Sequence, residues 1–527
     1  MLSALGWRDA LTAEPASEGP TVEQRQCVVR KHMPSITRRQ FLTAAGGAYA
    51  GLVFAGCSRG SSATAVPPGG VEVDRAEAMR RRPGASVKKI DLTAAPLSVD
   101  LAGIMAATWA YNGVLPGPEV RLRAGDVLHA RFANEIPEAA TVHWHGIALR
   151  NDMDGAAGVT QEAVPEGSEF IYEFTVPDPG TFWFHPHVGL QLDRGLYAPL
   201  IVEDPNEPGG YDREITIVLD DWISGVGATP EDTFEELKAG RGPHAEHASG
   251  GGPTSPVLKG AGGDVSYPLF LMNGRPPKDP PVFEARPGEK LRLRFINAGA
   301  DTPFRVALAG HRMTVTHTDG FPVVPVAVDT FVVGMSERYD VLVTVAEDGS
   351  FPLVAVAEGK GNHALGLLRV GAATTAAPSE PERLAELGRR LLTLDDLRST
   401  EAVALPAASP DRTYRVVLDG GEADYRWTIN GRTGMDSEPL DVRQGERVRL
   451  AFENRTTMFH PMHLHGHTFQ VVRPDGEPGP RKDSLIVLPD QRLALDFVAD
   501  NPGQWVLHCH NVYHMEGGME TTISYVR

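Results

Sequence analysis

Cysteine is nearly absent from this chain. Three occur in 527 residues, at Cys27, Cys57 and Cys509, too few and too scattered for a disulfide framework. Long apolar runs are missing as well. The best candidate, Phe41 to Gly56, is shorter than the ~20 residues a membrane-spanning helix needs. Positive charge is in deficit: 50 Lys and Arg against 68 Asp and Glu leave a net charge of −18, which argues against nucleic acid and anionic membrane surfaces as partners. Glycine and proline are plentiful instead, 56 and 42, and favour turn-rich β structure over long helices. The length suggests about three to four domains.

The N-terminal stretch "SITRRQFLTAAGGAYAGLVFAGC" joins twin arginines, Arg38 and Arg39, to a mildly apolar run. This has the form of a twin-arginine export signal, and "FAGC" that of a lipoprotein cleavage box that would leave Cys57 lipidated. A buried core helix fits poorly, because Gly/Ser/Pro-rich sequence follows at once. Met33 is an alternative start, since residues 1–32 fit no signal pattern. The expectation is a leader over 1–57, a flexible linker over 58–85, and an exported protein, extracellular or in the cell envelope, that meets the membrane only through a lipid on Cys57. That leaves Cys509 alone in the folded part, as a ligand or a nucleophile.

The rest of the chain repeats itself. "GDVLHARFAN" (125–134), "GEKLRLRFIN" (288–297) and "GERVRLAFEN" (445–454) share one pattern, and each follows an Asn-Gly turn, at Asn112-Gly113, Asn273-Gly274 and Asn430-Gly431. Period-2 alternation in each copy reads as a half-buried strand. Units of about 160 residues with many short strands predict an all-β protein of three Greek-key β-sandwiches, over 86–204, 205–371 and 411–527. Residues 372–410, with some helical periodicity in "PERLAELGRRLLTLDDL", read as a connector. The Gly-rich span 240–263 reads as a long surface loop.

The copies differ at two positions. Nine and eleven residues beyond the closing Asn, the first unit has His143 and His145 and the third has His463 and His465, whereas the middle unit has Val306 and Leu308. Side chains at i and i+2 of a strand share a face, so an His-x-His pair can present two imidazoles to one metal cluster. There are four such pairs: His143/His145, His185/His187, His463/His465 and His508/His510. Eight imidazoles from the outer units would suit a cluster of three metal ions. In "HCHNVYHMEGGM" Cys509 then points the other way from His508 and His510, toward His514, Met519 and His460. Two imidazoles, a thiolate and a thioether form the ligand set of a blue copper electron-transfer site. Cys509 would thus be a wire between one copper and the cluster. A catalytic Cys-His nucleophile explains the thiol alone and leaves the other histidines unused.

The motifs "HWHG", "FWFHPHVG", "HPMHLHGH" and "HCHNVYHMEGGM" make residues 86–527 resemble the three-domain multicopper oxidases, laccase-like and bacterial. The resemblance implies three cupredoxin-like domains, the middle one without copper ligands, and four copper ions. His460, Cys509, His514 and Met519 would hold the type 1 copper, and His143 and His463 the type 2. His145, His185 and His510 would hold one type 3 copper, and His187, His465 and His508 the other. Catalysis would involve Cys509, His514 as the electron entry and Asp154 as an acid aiding proton delivery, although Asp154-Gly155 also reads as a plain turn. Some bacterial relatives carry a glutamate after the last type 1 histidine. Here that residue is Met515, with Glu516 one further. The partners would be dioxygen and a small reductant, for a monomeric enzyme. A phenol or aromatic amine is the first expectation for that reductant, because the 13 methionines are scattered rather than gathered in an insert. A cuprous, ferrous or manganous ion is the second. A non-enzymatic cupredoxin scaffold is the third, and the full set of ten histidines and one cysteine weighs against it.

Overall fold

The computed structural model describes residues 64–207, 209–241, 254–372, 380–421 and 424–527. The expected leader, including Arg38, Arg39 and Cys57, lies outside them, as do His244 and His247. Strands dominate, arranged as three successive two-sheet sandwiches. Each repeat forms the strand that organises its sheet. Val127–Asn134 pairs in parallel with Val87–Asp100 and antiparallel with Glu169–Thr175. Lys290–Asn297 does the same with Arg213–Trp222 and Arg338–Thr344, and Arg447–Asn454 with Arg412–Gly420 and Arg492–Val498.

The reason the repeats recur is visible at their asparagines. Asn112, Asn273 and Asn430 each adopt a left-handed conformation, with φ of 52, 49 and 53°, as a tight hairpin turn demands. Each side-chain oxygen accepts from a strand amide, of Thr93, Val218 and Val417, and each Nδ2 donates to the carbonyl two residues earlier, of Asp91, Thr216 and Arg415. The closing asparagines act alike. Asn134, Asn297 and Asn454 donate to two carbonyls across the loop that leads to the second sheet. One short strand of that second sheet carries His143–His145, Phe304–Leu308 or His460–Leu464 in the three sandwiches.

Three expectations need correction. From residue 64 the expected linker is ordered. Ala65 bridges Val526, the Val66 amide donates to the Tyr525 carbonyl, and Val71–Arg80 is a helix with Val73 and Ala76 buried. Its Glu77 accepts from the Thr175 amide and hydroxyl, and its Arg80 donates to Asn501. The stretch thereby ties the first sandwich to the third. Among its described residues the connector holds only short 3-10 turns, at Pro381–Arg383, Ala385–Gly388 and Leu394–Asp396. Its leucines, Leu387, Leu392 and Leu397, pack against the middle sandwich, and the Leu392 amide donates to Thr330, so tertiary pairing replaces local helix. The end of the Gly-rich span is buried rather than a surface loop. Gly262 and Gly263 lie so close to Glu358 and Asp301 that an added Cβ would fall 2.1 and 2.2 Å from their atoms, and Asp264 follows at once.

The described residues belong to one compact unit. No helix among the described residues is long and apolar enough to cross a membrane.

Candidate metal centre

The third sandwich sorts its ligands by strand geometry. His463 lies opposite His508 on the neighbouring strand, and Met462 lies opposite Cys509. Alternation therefore sends His463 and His508 to one face of the sheet and Cys509 to the other. In the first sandwich His143 lies opposite His185, while Trp144 turns into the core against Tyr172, Phe174 and Phe184.

On the inner face, His460, Cys509 and His514 meet. The two Nδ1 atoms are 3.0 Å apart, and Cys509 Sγ is 3.6 Å from each. A point equidistant from these three atoms lies about 2 Å from each, close to metal–nitrogen bond length. Met519 is buried and joined to the same turn, its amide donating to the His514 carbonyl and its carbonyl accepting from Cys509. The turn carrying His514 is set by Asn511, whose side-chain oxygen accepts from the amides of Tyr513 and His514. Both imidazoles are oriented from behind. His460 Nε2 meets the Thr456 hydroxyl at 2.8 Å, and His514 Nε2 donates to Asp264 Oδ2 at 2.7 Å. Burial pushes the Cys509 thiol up, and a bound cation would reverse that.

The outer face meets the first sandwich, and eight imidazoles converge there. His187, His465 and His508 bring ligand atoms within 4.8 Å of one another, as do His143, His145 and His185. His510 Nε2 is 3.4 Å from His185 Nε2, and its ring lies 5.0 Å from that of His145. The Nε2 atoms of His143, His187 and His463 and Nδ1 of His145 are buried without a hydrogen-bond partner. Such orphans are costly unless something else fills the role. Burial, then mutual repulsion, lowers the pKa of His145, His185, His465, His508 and His510, and that of His187 to about 3. Neutral imidazoles with inward lone pairs are what a metal requires. The donor sets therefore fit one thiolate-bound ion and a multi-ion imidazole cluster.

Two aspartates brace the cluster in a near-symmetric way. His143 Nδ1 donates to the Asp154 carbonyl, and the Asp154 carboxylate accepts from His465 Nδ1 at 2.8 Å. Reciprocally, His463 Nδ1 donates to the Asp483 carbonyl, and the Asp483 carboxylate accepts from His145 Nε2 at 3.1 Å. Each aspartate thus holds one imidazole of its own sandwich and one of the other. Asp154 is more than a turn residue, although its turn is real. Gly155 has φ of 82°, and an added Cβ would lie 2.1 Å from the Val142 carbonyl.

Sequence reasoning passed over Asp483, Arg338, Asp264 and Tyr425. The first two form a fully buried two-point ion pair, and Tyr425 donates to Asp264 at 2.6 Å. Charged residues inside apolar strand sequence, "PRKDSLIVLP" and "SERYDVLVTV", were the available signal. His514 is 0% exposed and its Nε2 is taken by Asp264, so the expected entry at its ring edge is covered. Met515 lines a cavity of about 10 Å³ beside His185, His187, His508 and His510, a position where an acid would face the cluster. Of the remaining histidines, His467 donates through Nδ1 to His465 and contacts the Tyr525 hydroxyl through Nε2, and His129 meets Glu173.

The chain matches the family description "Multicopper oxidase" over residues 94–207, 213–373 and 407–525. It is 47% identical to multicopper oxidase MmcO of Mycobacterium tuberculosis over 495 residues, covering 93% of this chain and 97% of that protein. It is 28% identical to a copper resistance protein A homolog of Pseudomonas syringae pv. tomato, covering 83% and 92%. Among solved structures it resembles the laccase from Botrytis aclada, with a TM-score of 0.69, 27% identity, and 84% and 88% covered.

Proposed function

This chain belongs to the multicopper oxidase family, and from that premise we propose that its electron donor is a low-valent metal ion, cuprous or ferrous. The enzyme is an oxidoreductase with copper as cofactor and dioxygen as acceptor. With a cuprous donor the balance is four Cu⁺, one O₂ and four protons giving four Cu²⁺ and two waters.

The covered edge of His514 carries the choice of donor. That edge is closed by Asp264, so either donor must pass its electron by way of this carboxylate, whose charge favours a cation. Beside it lies a cavity of about 250 Å³ lined by Asp264, Asp232, Glu236 and Arg241. Arg241 is spent on Glu236, so the wall attracts a cation. The copper-resistance name of one relative agrees with this reading. The second reading, a phenol or aromatic amine, draws support from the same cavity's ring-sized volume, the scattered methionines and the laccase likeness.

In this reading His460, Cys509, His514 and Met519 hold one copper, and His143 and His463 a second. His145, His185 and His510 hold a third, and His187, His465 and His508 a fourth. Four coppers, when bound, supply single-electron uptake and a joint four-electron reduction of dioxygen. The protein's own groups then do the following. Asp264 accepts from His514 Nε2 and so fixes the His514 tautomer, and it adds negative charge at the cavity wall. Asp483 and Asp154 hold protons on His145 Nε2 and His465 Nδ1, so that the opposite nitrogens stay open. Asp154, whose carboxylate bonds imidazoles and no lysine or arginine among the described residues, is the acid placed to pass protons toward the cluster. We further propose export through the twin-arginine leader, with lipidation at Cys57.

Steady-state oxygen uptake with cuprous ion, ferrous ion, a phenol and a non-phenolic dye tests the donor. The expected result is a kcat/KM for a metal ion above that for the phenol, falling about 10- to 100-fold in Asp264→Asn while the dye rate falls less. A phenol that outruns both ions, with Asp264→Asn indifferent, would establish the second reading.

A further inference from the structure

Among its described residues the middle sandwich has no metal-directed histidines, yet one of its side chains reaches the cluster. Arg338 opens the strand Arg338–Thr344 and is 0% exposed, as is Asp483. Its Nη1 and Nη2 bond the two Asp483 oxygens at 2.7 and 2.5 Å. Its Nε donates to the carbonyl of Thr181 in the strand Gly180–His185, and Nη1 also donates to the Ser336 carbonyl. One guanidinium therefore touches all three sandwiches. Burial works to raise the Asp483 carboxyl, but the paired Arg338 outweighs it and holds it well below the usual carboxylate range.

We propose that Arg338 is a positioning residue for the histidine cluster: it clamps Asp483 in the orientation that takes His145 through Nε2 and leaves Nδ1 turned to the metal. A carboxylate held at both oxygens cannot rotate, and only a guanidinium fork supplies two parallel bonds. His145 Nε2 lies 3.1 Å from Asp483 Oδ1, and its Nδ1 has no hydrogen-bond partner. Ser484 extends the brace. Its hydroxyl lies 3.3 Å from His145 Nε2 and 3.2 Å from His463 Nδ1, and it accepts from the Ser336 hydroxyl.

A second observation supports the clamp independently. Gly146, the glycine of "HWHG", has φ of 84°, and a Cβ there would lie 2.5 Å from Arg338 Nη2 and 2.6 Å from Asp483 Oδ2. The turn leaving His145 is thus built around the ion pair, not merely near it. The reciprocal aspartate, Asp154, has no such fork. It sits in a loop locked to the third sandwich by Asn151, which bonds the Gln504 backbone in both directions. The cluster is braced on one side by backbone and on the other by Arg338.

The proposal rests on the four-copper reading. Copper per chain, the electron paramagnetic resonance spectrum and the melting temperature should be measured for holoprotein with Arg338→Met, Arg338→Lys and Arg294→Met. Arg294 is a buried arginine in the same interface that bonds Thr181 and Asp340 and does not bond Asp483. Arg338→Met is expected to keep the type 1 blue band and to hold cluster copper about 10- to 100-fold more weakly. Arg338→Lys is expected to fall between it and the parent. Arg294→Met is expected to lose stability with its copper intact. Full copper and an unchanged spectrum in Arg338→Met would overturn the proposal, and so would an equal copper loss in Arg294→Met. Should Arg338→Met fail to fold, Arg338→Lys decides, since full occupancy and an unchanged spectrum there also overturn it. A parent protein with fewer than four coppers is a separate result and contradicts the copper reading instead.

Discussion

The outer sandwiches and the middle one share a skeleton down to single hydrogen bonds. The turn asparagines Asn112, Asn273 and Asn430 bond the same way, and so do the closing asparagines Asn134, Asn297 and Asn454. What differs is the short strand nine residues on. His143 and His463 face each other across an interface, with ring centroids 5.7 Å apart. Val306, at the corresponding place, is buried in its own sandwich between strands Thr330–Val333 and Gly349–Ala357. Metal-directed histidines are therefore a property of a shared interface rather than of the fold. The middle sandwich serves that interface by supplying buried arginines.

The comparison can be broken at several points. Cys509→Ser should remove the blue colour and reduce oxidation of a dye to background, because no other described residue offers sulfur between His460 and His514 and also joins the two faces. Retained oxygen uptake would mean that electrons reach the cluster another way. Installing the outer pair in the middle unit, as Val306→His with Leu308→His, should add no copper. It should cost about 3 kcal/mol or more, from overpacking and partnerless imidazoles, read as a lower midpoint in urea. A fifth copper would show that the motif alone makes a site. Asp154→Asn should slow turnover about 10- to 100-fold with copper content unchanged, since an amide oxygen can still accept from His465. Unaltered turnover would reduce Asp154 to bracing. The smallest effect is expected from Glu77→Ala, which frees the Thr175 amide and hydroxyl. A loss of about 1–3 kcal/mol, seen as a lower melting temperature with full copper and activity, would confine the N-terminal helix to holding the outer sandwiches together.

Much of this was legible in the sequence because it is local. Strand alternation separates Cys509 from His508 and His510 within three residues, and the repeats mark themselves through turn asparagines that each sandwich needs. Asp154 emerged through resemblance, eleven residues from His143. The rest is distant in sequence. Asp483 and His145 are 338 residues apart, Asp264 and His514 are 250, and Arg338 and Asp483 are 145. No spacing rule links them, because they belong to different sandwiches. The segment 64–80 reads as linker from its Gly/Ser/Pro-rich approach, whereas its order comes from pairing with the far C-terminus at Val526 and Arg527. The connector's helical periodicity was genuine as burial of leucines and misleading as helix.

The central claim is that one sulfur-bound ion and an imidazole cluster share the strand Gln504–Cys509 and its continuation to His510. Elemental analysis of purified holoprotein, together with its electron paramagnetic resonance spectrum, tests this most directly. The account predicts four copper ions per chain, with one type 1 and one type 2 signal and a silent pair. Fewer than four metal ions, or zinc in place of copper, would contradict it.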